Sequence, residues 1–130
     1  MIEEEIAPPA RIRSYTDLLV WQEARNLASL IYRLMAKMPA YEKYGLSDQM
    51  RRASVSIASN IAEGFGRSTA KEKNQFYYIA KGSLAELETQ SYIASDVGHF
   101  DANTLEAVLA QARLTHRLLQ GLIKANKERL

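Results

Sequence analysis

The sequence predicts an all-α fold, an antiparallel up-down-up-down four-helix bundle. Three observations carry that reading. Apolar residues recur every three and four positions in four long stretches, which puts them on one face of a helix in each. The breaks between the stretches hold Pro39, Gly64 and Gly66, and Gly98, beside residues suited to helix caps. No stretch alternates with a period of two, as a half-buried strand would. Short connections make successive helices antiparallel neighbours. The chain divides into an N-terminal arm, residues 1–14, and one bundle domain, residues 15–130.

Met1 to Ser14 reads as a mobile arm, because Pro8-Pro9 disfavours helix and Glu3-Glu4-Glu5 repel one another. Arg11 and Arg13 follow and can pin the arm to an acidic surface. The first helix is expected after Asp17 as N-cap, with Trp21, Ala24, Leu27, Ala28, Ile31, Leu34, Met35 and Met38 on its inner face, and Pro39 as its stop. Trp21 is expected to anchor one end of the core.

The second helix is expected from an N-cap at Ser47 to about Glu63, with Gly64 as a left-handed residue ending it. Its small side chains (Ala53, Ser54, Ser56, Ala58, Ser59, Ala62) and its apolar residues Met50, Val55, Ile57 and Ile61 fall on several sides. That distribution marks it as the central helix, against which the others pack.

A Thr69-x-x-Glu72 capping box opens the third helix, which runs to about Val97. Its predicted inner face is Phe76, Ile79, Ala80, Ser83, Leu84, Leu87, Ser91, Ala94 and Val97. Gly82 in mid-helix costs about 1 kcal/mol relative to alanine, which suggests a close helix crossing near Ala53 and Ser54. Gly98 ends this helix, and Asn103 with Glu106 is read as the capping box of the fourth. There Leu105, Val108, Leu109, Ala112, Thr115, Leu119, Leu122 and Ile123 form the inner stripe, and the basic tail from Lys124 frays.

Composition excludes several function classes. The 130 residues contain no cysteine, so disulfide and thiolate chemistry are absent. No apolar run approaches the roughly 20 residues of a membrane helix, and the acidic start is unlike a signal peptide, so a soluble cytoplasmic protein is expected. The net charge of +2 is too small to announce a nucleic-acid binder, but its distribution is uneven. From Arg113 onward there are five basic residues and one acid, whereas Ser83 to Glu106 holds five acids and no Lys or Arg. Such asymmetry suits two solvated faces, subunit assembly or a polyanion.

The candidate polar residues sit mainly on the second helix. Arg52, Ser56, Asn60 and Glu63 are spaced to line one side of it, with Arg51 beside them. If buried, they need partners. Glu86 is expected to pair with Arg51 or Arg52, within a subunit or across an interface. Asn60 is expected to bond a neighbouring helix backbone or the Gly64–Gly66 turn, and Glu63 to reach the next helix start or Arg67. These residues read first as specifying register and assembly. The second reading is a small-ligand or nucleic-acid site at the turn into the third helix, where Gly64-Phe65-Gly66-Arg67, then Ser68, Thr69 and the helix start, hold a phosphate through backbone amides and Arg67.

No catalytic, cofactor or metal constellation emerges. His116 has no His or carboxylate three or four residues away, Gly98 separates His99 from Asp96, and Glu86 and Glu88 point about 200° apart. Tyr77 and Tyr78 read as packing residues ahead of base-stacking ones.

Tyr44-Gly45-Leu46, Gln49, Arg51-Arg52-Ala53, Ser56-Ile57, Asn60-Ile61-Ala62-Glu63-Gly64 and Gly66-Arg67 form a dense pattern. It is preceded by Leu18-x-Val20-Trp21-Gln22-x-Ala24 and followed by Gly82-Ser83-Leu84-x-Glu86-Leu87-Glu88-Thr89-Gln90. Over Ser14 to Phe100, and more loosely beyond, the chain resembles the bacterial four helix bundle protein family, first noted in intervening sequences of 23S ribosomal RNA genes. The resemblance implies a bundle that assembles as a ring, a homopentamer. It also implies kinship with the accessory variability determinant of diversity-generating retroelements, a pentamer that binds nucleic acid and a reverse transcriptase. No biochemical activity is established for the family. The resulting expectation is a non-enzymatic oligomeric scaffold for RNA, DNA or a nucleic-acid enzyme such as a reverse-transcriptase-like protein. The candidate contacts are Arg11, Arg13, Arg25, Arg33, Arg67, Arg113, Arg117, Lys124, Lys127 and Arg129. The alternative is a purely structural or protein-binding oligomer.

Overall fold

A computed structural model describes residues 12–129. Among them lie four long helices and no strand: α1 (Leu19–Met35), α2 (Leu46–Phe65), α3 (Ala70–Asp96) and α4 (Ala102–Lys127), with short 3-10 turns at Tyr15–Asp17 and Ala40–Glu42. Each helix packs on two others, α1 on α2, α2 on α3, α3 on α4 and α4 back on α1, the arrangement of a four-helix bundle. The core sits between all four and includes Leu27, Ile31, Met50, Ile57, Ile61, Tyr77, Leu84, Leu87, Val108 and Leu119.

The helix starts differ from the sequence expectations for reasons of local hydrogen bonding. Asp17 does not cap α1. Its carboxylate accepts the Arg13 and Ser14 amides at 2.8 and 3.1 Å and closes a capping box with Ser14 over the first 3-10 turn. The α-helix starts two residues later, behind Leu18, which offers no side-chain cap. Ser47 does not cap α2 either; it is buried inside the helix. The Leu46 amide is instead taken by Glu42 Oε1 at 3.1 Å, a carboxylate from the preceding turn. Thr69 does cap α3, accepting the Glu72 amide at 3.1 Å. α4 is capped by Asp101, whose carboxylate accepts the Thr104 amide at 2.7 Å, rather than by Asn103. That amide bond holds the Asp101 carboxyl below its ordinary pKa.

Two glycine assignments move as well. Gly64 does not end α2. The helix runs through Gly64 and Phe65, and Gly66 at its end has a right-handed φ of −80°. Gly98 is the left-handed residue, at φ +86°, and it lets the His99 and Phe100 amides turn back onto the Ala94 carbonyl. The close crossing lies at Gly64, not Gly82. A Cβ at Gly64 would meet the Tyr77 ring at 2.7 Å and the Lys73 carbonyl at 3.0 Å, whereas one at Gly82 would meet nothing within 4 Å.

Nor is α2 a central helix. It buries a single seam, Ser47, Met50, Ser54, Ile57, Ile61 and Gly64, at alternating three and four spacing with Ala53 alongside, and leaves Val55 exposed. On α3 the expected Ala80, Ser83, Leu84, Leu87, Ser91 and Ala94 are buried, and the inner face departs from expectation mainly toward the two ends of the helix. Tyr77, Asn74 and Gln90 are buried, while Ile79 and Val97 are more than half exposed and Phe76 is half-buried. The consecutive large residues Phe76 to Ile79 hide the true face of the first turns from a periodicity argument. The α4 stripe lies close to expectation, with Leu118 and Asn126 added to it, and the helix continues to Lys127 instead of fraying at Lys124.

Candidate functional site

Three groups of polar side chains stand out; the sequence located the first, named part of the second and missed the third. The first is the seam between α2 and α3. The Ser56 and Ser83 hydroxyls meet at 2.9 Å, and Asn60 donates its amide to the Ser56 carbonyl at 2.8 Å and the Ser56 hydroxyl at 3.0 Å. Asn60 therefore serves its own helix and supports a cross-helix hydroxyl pair, not a neighbouring backbone. Arg52 is exposed and pairs with Asp48 at 2.9 Å, one turn away. Arg51 reaches only the Lys43 carbonyl, at 3.5 Å. Glu86 is exposed and accepts the Gln90 amide at 3.4 Å, so within the chain it meets neither arginine. Glu63 pairs with Arg67 at 3.0 Å, as the spacing suggested.

The second group forms one end of the fold, where α2 finishes, α3 begins and α4 finishes. Buried Asn126 ties these ends together, donating to the Ala70 carbonyl at 2.7 Å and to Asn74 Oδ1 at 2.8 Å. Around this knot, three cations lie over aromatic faces. Arg67 is 4.5 Å from the Phe76 centroid, Lys73 is 5.2 Å from Phe65, and Lys127 is 5.5 Å from Tyr78. Lys73 also donates to the Phe65 carbonyl and so caps the end of α2. Burial, and then the nearby charge of Arg129, push the pKa of Lys73 down. The same burial pushes Tyr77 up to about 12, with Arg129 opposing it weakly.

Of the predicted nucleic-acid contacts, Arg67, Lys127 and Arg129 are brought to this end, and Arg11 lies outside the described residues. Arg25 stacks over Trp21 at 5.7 Å, in the groove between α1 and α2. Trp21 itself is half-buried at the rim of the core, edge-on to Tyr15, rather than an anchor inside it. Arg113 pairs with Glu106 at 3.0 Å, a carboxylate that raises its pKa further. Arg13, Arg33, Arg117 and Lys124 are exposed. At the α2–α3 turn the Gly66 and Arg67 amides already bond the Ala62, Glu63 and Gly64 carbonyls, and the Glu72 amide bonds Thr69, so these three do not serve the expected phosphate cradle. Charge there is offered by side chains.

The third group lies at the α3–α4 turn. His99 Nε2 is 2.9 Å from Glu42 Oε2, with His99 nearly buried and Tyr41 tilted against its ring. Asp96 is not the partner. The contact spans 57 residues, and no local spacing could have announced it. Among the described residues no cluster of three His, Asp or Glu is placed to hold a metal, and no helix is long and apolar enough to cross a membrane.

No protein of curated function matches the chain. A crystal structure at 1.70 Å of a protein with unknown function, of the S23 ribosomal protein family from Bacteroides thetaiotaomicron VPI-5482, is similar in fold. Its TM-score is 0.76 at 20% identity, over 81% of this chain and 98% of that one. The family model for 23S rRNA-intervening sequence proteins matches residues 16–121, most of the sequence. The chain belongs to the 23S rRNA-intervening sequence protein family.

Proposed function

We propose that the protein is a non-enzymatic scaffold, an up-down-up-down antiparallel bundle that assembles as a homo-oligomeric ring and holds nucleic acid at its basic end. The antiparallel reading is supported by contacts that join the end of one helix to the start of a neighbour, such as Gly64 of α2 with Tyr77 of α3 and Asn126 of α4 with Ala70 of α3. Ring assembly is supported by apolar surface left open on two separate parts of the fold: Tyr32 and Val55 on α1 and α2, and Tyr92, Ile93 and Val97 on α3. Five copies is the number the family resemblance implies. In this reading the protein is cytoplasmic, with RNA, DNA or a reverse-transcriptase-like protein as its partner.

The observation that carries nucleic-acid binding is the row of cations on aromatic faces. A cation held over a ring keeps its outer side open to a phosphate, and an exposed ring beside it can stack a base. Lys73 and Arg129 lie close enough to raise each other's electrostatic cost, and a bound phosphate relieves it. Glu72 and Glu128 lie at the same end and limit the field, so single contacts are weak and repetition around a ring supplies the avidity.

Titrating the protein into labelled single-stranded RNA and DNA at low and moderate salt tests this. Each phosphate contact contributes a slope of about −0.7 in log K against log salt. Lys127→Glu with Arg129→Glu should cut affinity at least about tenfold and flatten that slope. Binding that ignores salt and both changes refutes the site. The open α3 face favours a second reading, a purely protein-binding oligomer, and salt-independent binding of a protein partner with none of RNA would support it.

A further inference from the structure

Gly82 sits in the middle of α3 on its exposed side, and nothing in its own chain comes within 4 Å of a Cβ placed there. An exposed glycine in mid-helix costs about 1 kcal/mol relative to alanine. No turn and no positive φ calls for it. Around it the outward surface of α3 is apolar, with Ile79, Tyr92, Ile93 and Val97 each about half exposed. An outer helix face in water normally carries charges. Here it carries Glu86 and Asp96, and from Ser83 to Glu106 there is no Lys or Arg.

A second open surface has the opposite character. Between α1 and α2 runs a groove of about 470 Å³ whose floor includes Ala58, Ser59 and Ala62 and whose wall includes Trp21 and Tyr32. Small side chains on its floor admit another helix at close range. Arg25 lies in it, and Arg51 lines its continuation beside Val55. Among the described residues neither arginine pairs with a carboxylate: Arg25 rests on the Trp21 ring and Arg51 on a carbonyl. The two surfaces also match in length. Ile79 to Asp96 and Asp48 to Phe65 each span about 26 Å of helix, at 1.5 Å per residue.

We infer that the outer face of α3 docks into the α1–α2 groove of a second copy of this chain. Gly82 stands at the crossing, against the small residues of α2, and Glu86 meets Arg51 of the next copy. Gly82 lets the backbones approach, and the apolar rows of both faces leave water together. Because the two surfaces differ, each copy offers one and accepts with the other, so the contact repeats from copy to copy. This inference rests on the assembly half of the proposed function and assigns its two faces.

The test measures native mass and helix content by circular dichroism. Wild type should run as an oligomer. Gly82→Leu, which has room in the isolated chain, should keep the helix content and fall to monomer mass. Glu86→Arg and Arg51→Glu should each weaken the oligomer at least about tenfold, and the two together should restore it, as a directly paired charge requires. A monomeric wild type, an unchanged mass in Gly82→Leu, or no rescue in the double variant overturns the docking. RNA affinity of the same variants is read separately. Monomers that still bind RNA, more weakly, leave the basic end intact, while an intact oligomer that ignores RNA defeats only that half of the reading.

Discussion

Glu42 joins two distant turns with its two carboxylate oxygens: Oε1 accepts the Leu46 amide that starts α2, and Oε2 lies 2.9 Å from Nε2 of His99 in the α3–α4 turn. Gly45 makes the fit possible, since a Cβ there would come within 2.8 Å of Oε1. The His99 contact, followed by the Leu46 amide, lowers the Glu42 pKa from 4.5. A carboxyl with a depressed folded value stabilises the fold above its unfolded pKa and loses that contribution as pH falls through the folded one. The stability of wild type should therefore drop below pH 4.5. Glu42→Gln should remove part of this drop while lowering stability at neutral pH. Thermal melts across the acid range decide it; identical acid profiles would detach Glu42 from the effect.

Gly64 and Tyr77 make a steric prediction. A methyl at Gly64 would overlap the Tyr77 ring and press on the Lys73 carbonyl, which belongs to backbone and cannot swing away. Gly64→Ala should destabilise by about 1–3 kcal/mol, the usual cost of overpacking, despite alanine's better helix propensity. Tyr77→Leu should cost stability alone but suppress part of the Gly64→Ala penalty in combination. Additive effects in a denaturant-based mutant cycle would contradict the contact.

The buried Asn74–Asn126 pair makes an energetic one. Asn126 serves the Ala70 carbonyl and Asn74, and Asn74 itself reaches toward the Ile123 carbonyl at 3.4 Å. Asn126→Leu strands a buried acceptor and should cost about 1–3 kcal/mol. Asn74→Leu should cost a similar amount, and the double variant less than the sum, with a coupling of about 0.5–3 kcal/mol. Full additivity would mean that the two amides do not depend on each other.

The number and order of the helices were legible in the sequence because each depends on local signals: apolar spacing, Thr69 as a cap and Gly98 as a stop, though the left-handed conformation expected at Gly64 belongs to Gly98. The middle of the α3 inner face was legible too, from Ala80 to Ala94, but its first turns were not. Phe76, Tyr77, Tyr78 and Ile79 are consecutive and apolar or aromatic, so spacing alone does not choose among them. Gly64, across the interface, selects Tyr77. The polar seam was legible in part. Glu63 with Arg67 is a one-turn pair that any helix forms, but Ser56 with Ser83, Glu42 with His99 and Asn74 with Asn126 span 27 to 57 residues. Gly82 was legible as a residue needing a reason, and the chain's own contacts do not supply it.

Tyr77 gives the last prediction, at the alkaline end. It is 1% exposed, and burial raises its pKa from 10.0 to about 12. The phenolate is the charged form, so burial disfavours it in the fold and leaves the unfolded chain free to ionise first. A raised folded pKa means that the tyrosine's contribution is fully present below its unfolded value and is lost as pH rises through the folded one. Stability should accordingly decline between pH 10 and about 12. Tyr77→Phe keeps the ring that fills the Gly64 contact but has nothing to ionise, so its alkaline decline should be shallower. Absorbance titration supplies the independent readout: wild type should show one phenol more than the Phe variant ionising only near pH 12, together with the loss of helix signal. If that phenol titrates near pH 10 with the fold intact, Tyr77 is not buried and its packing against Gly64 does not hold.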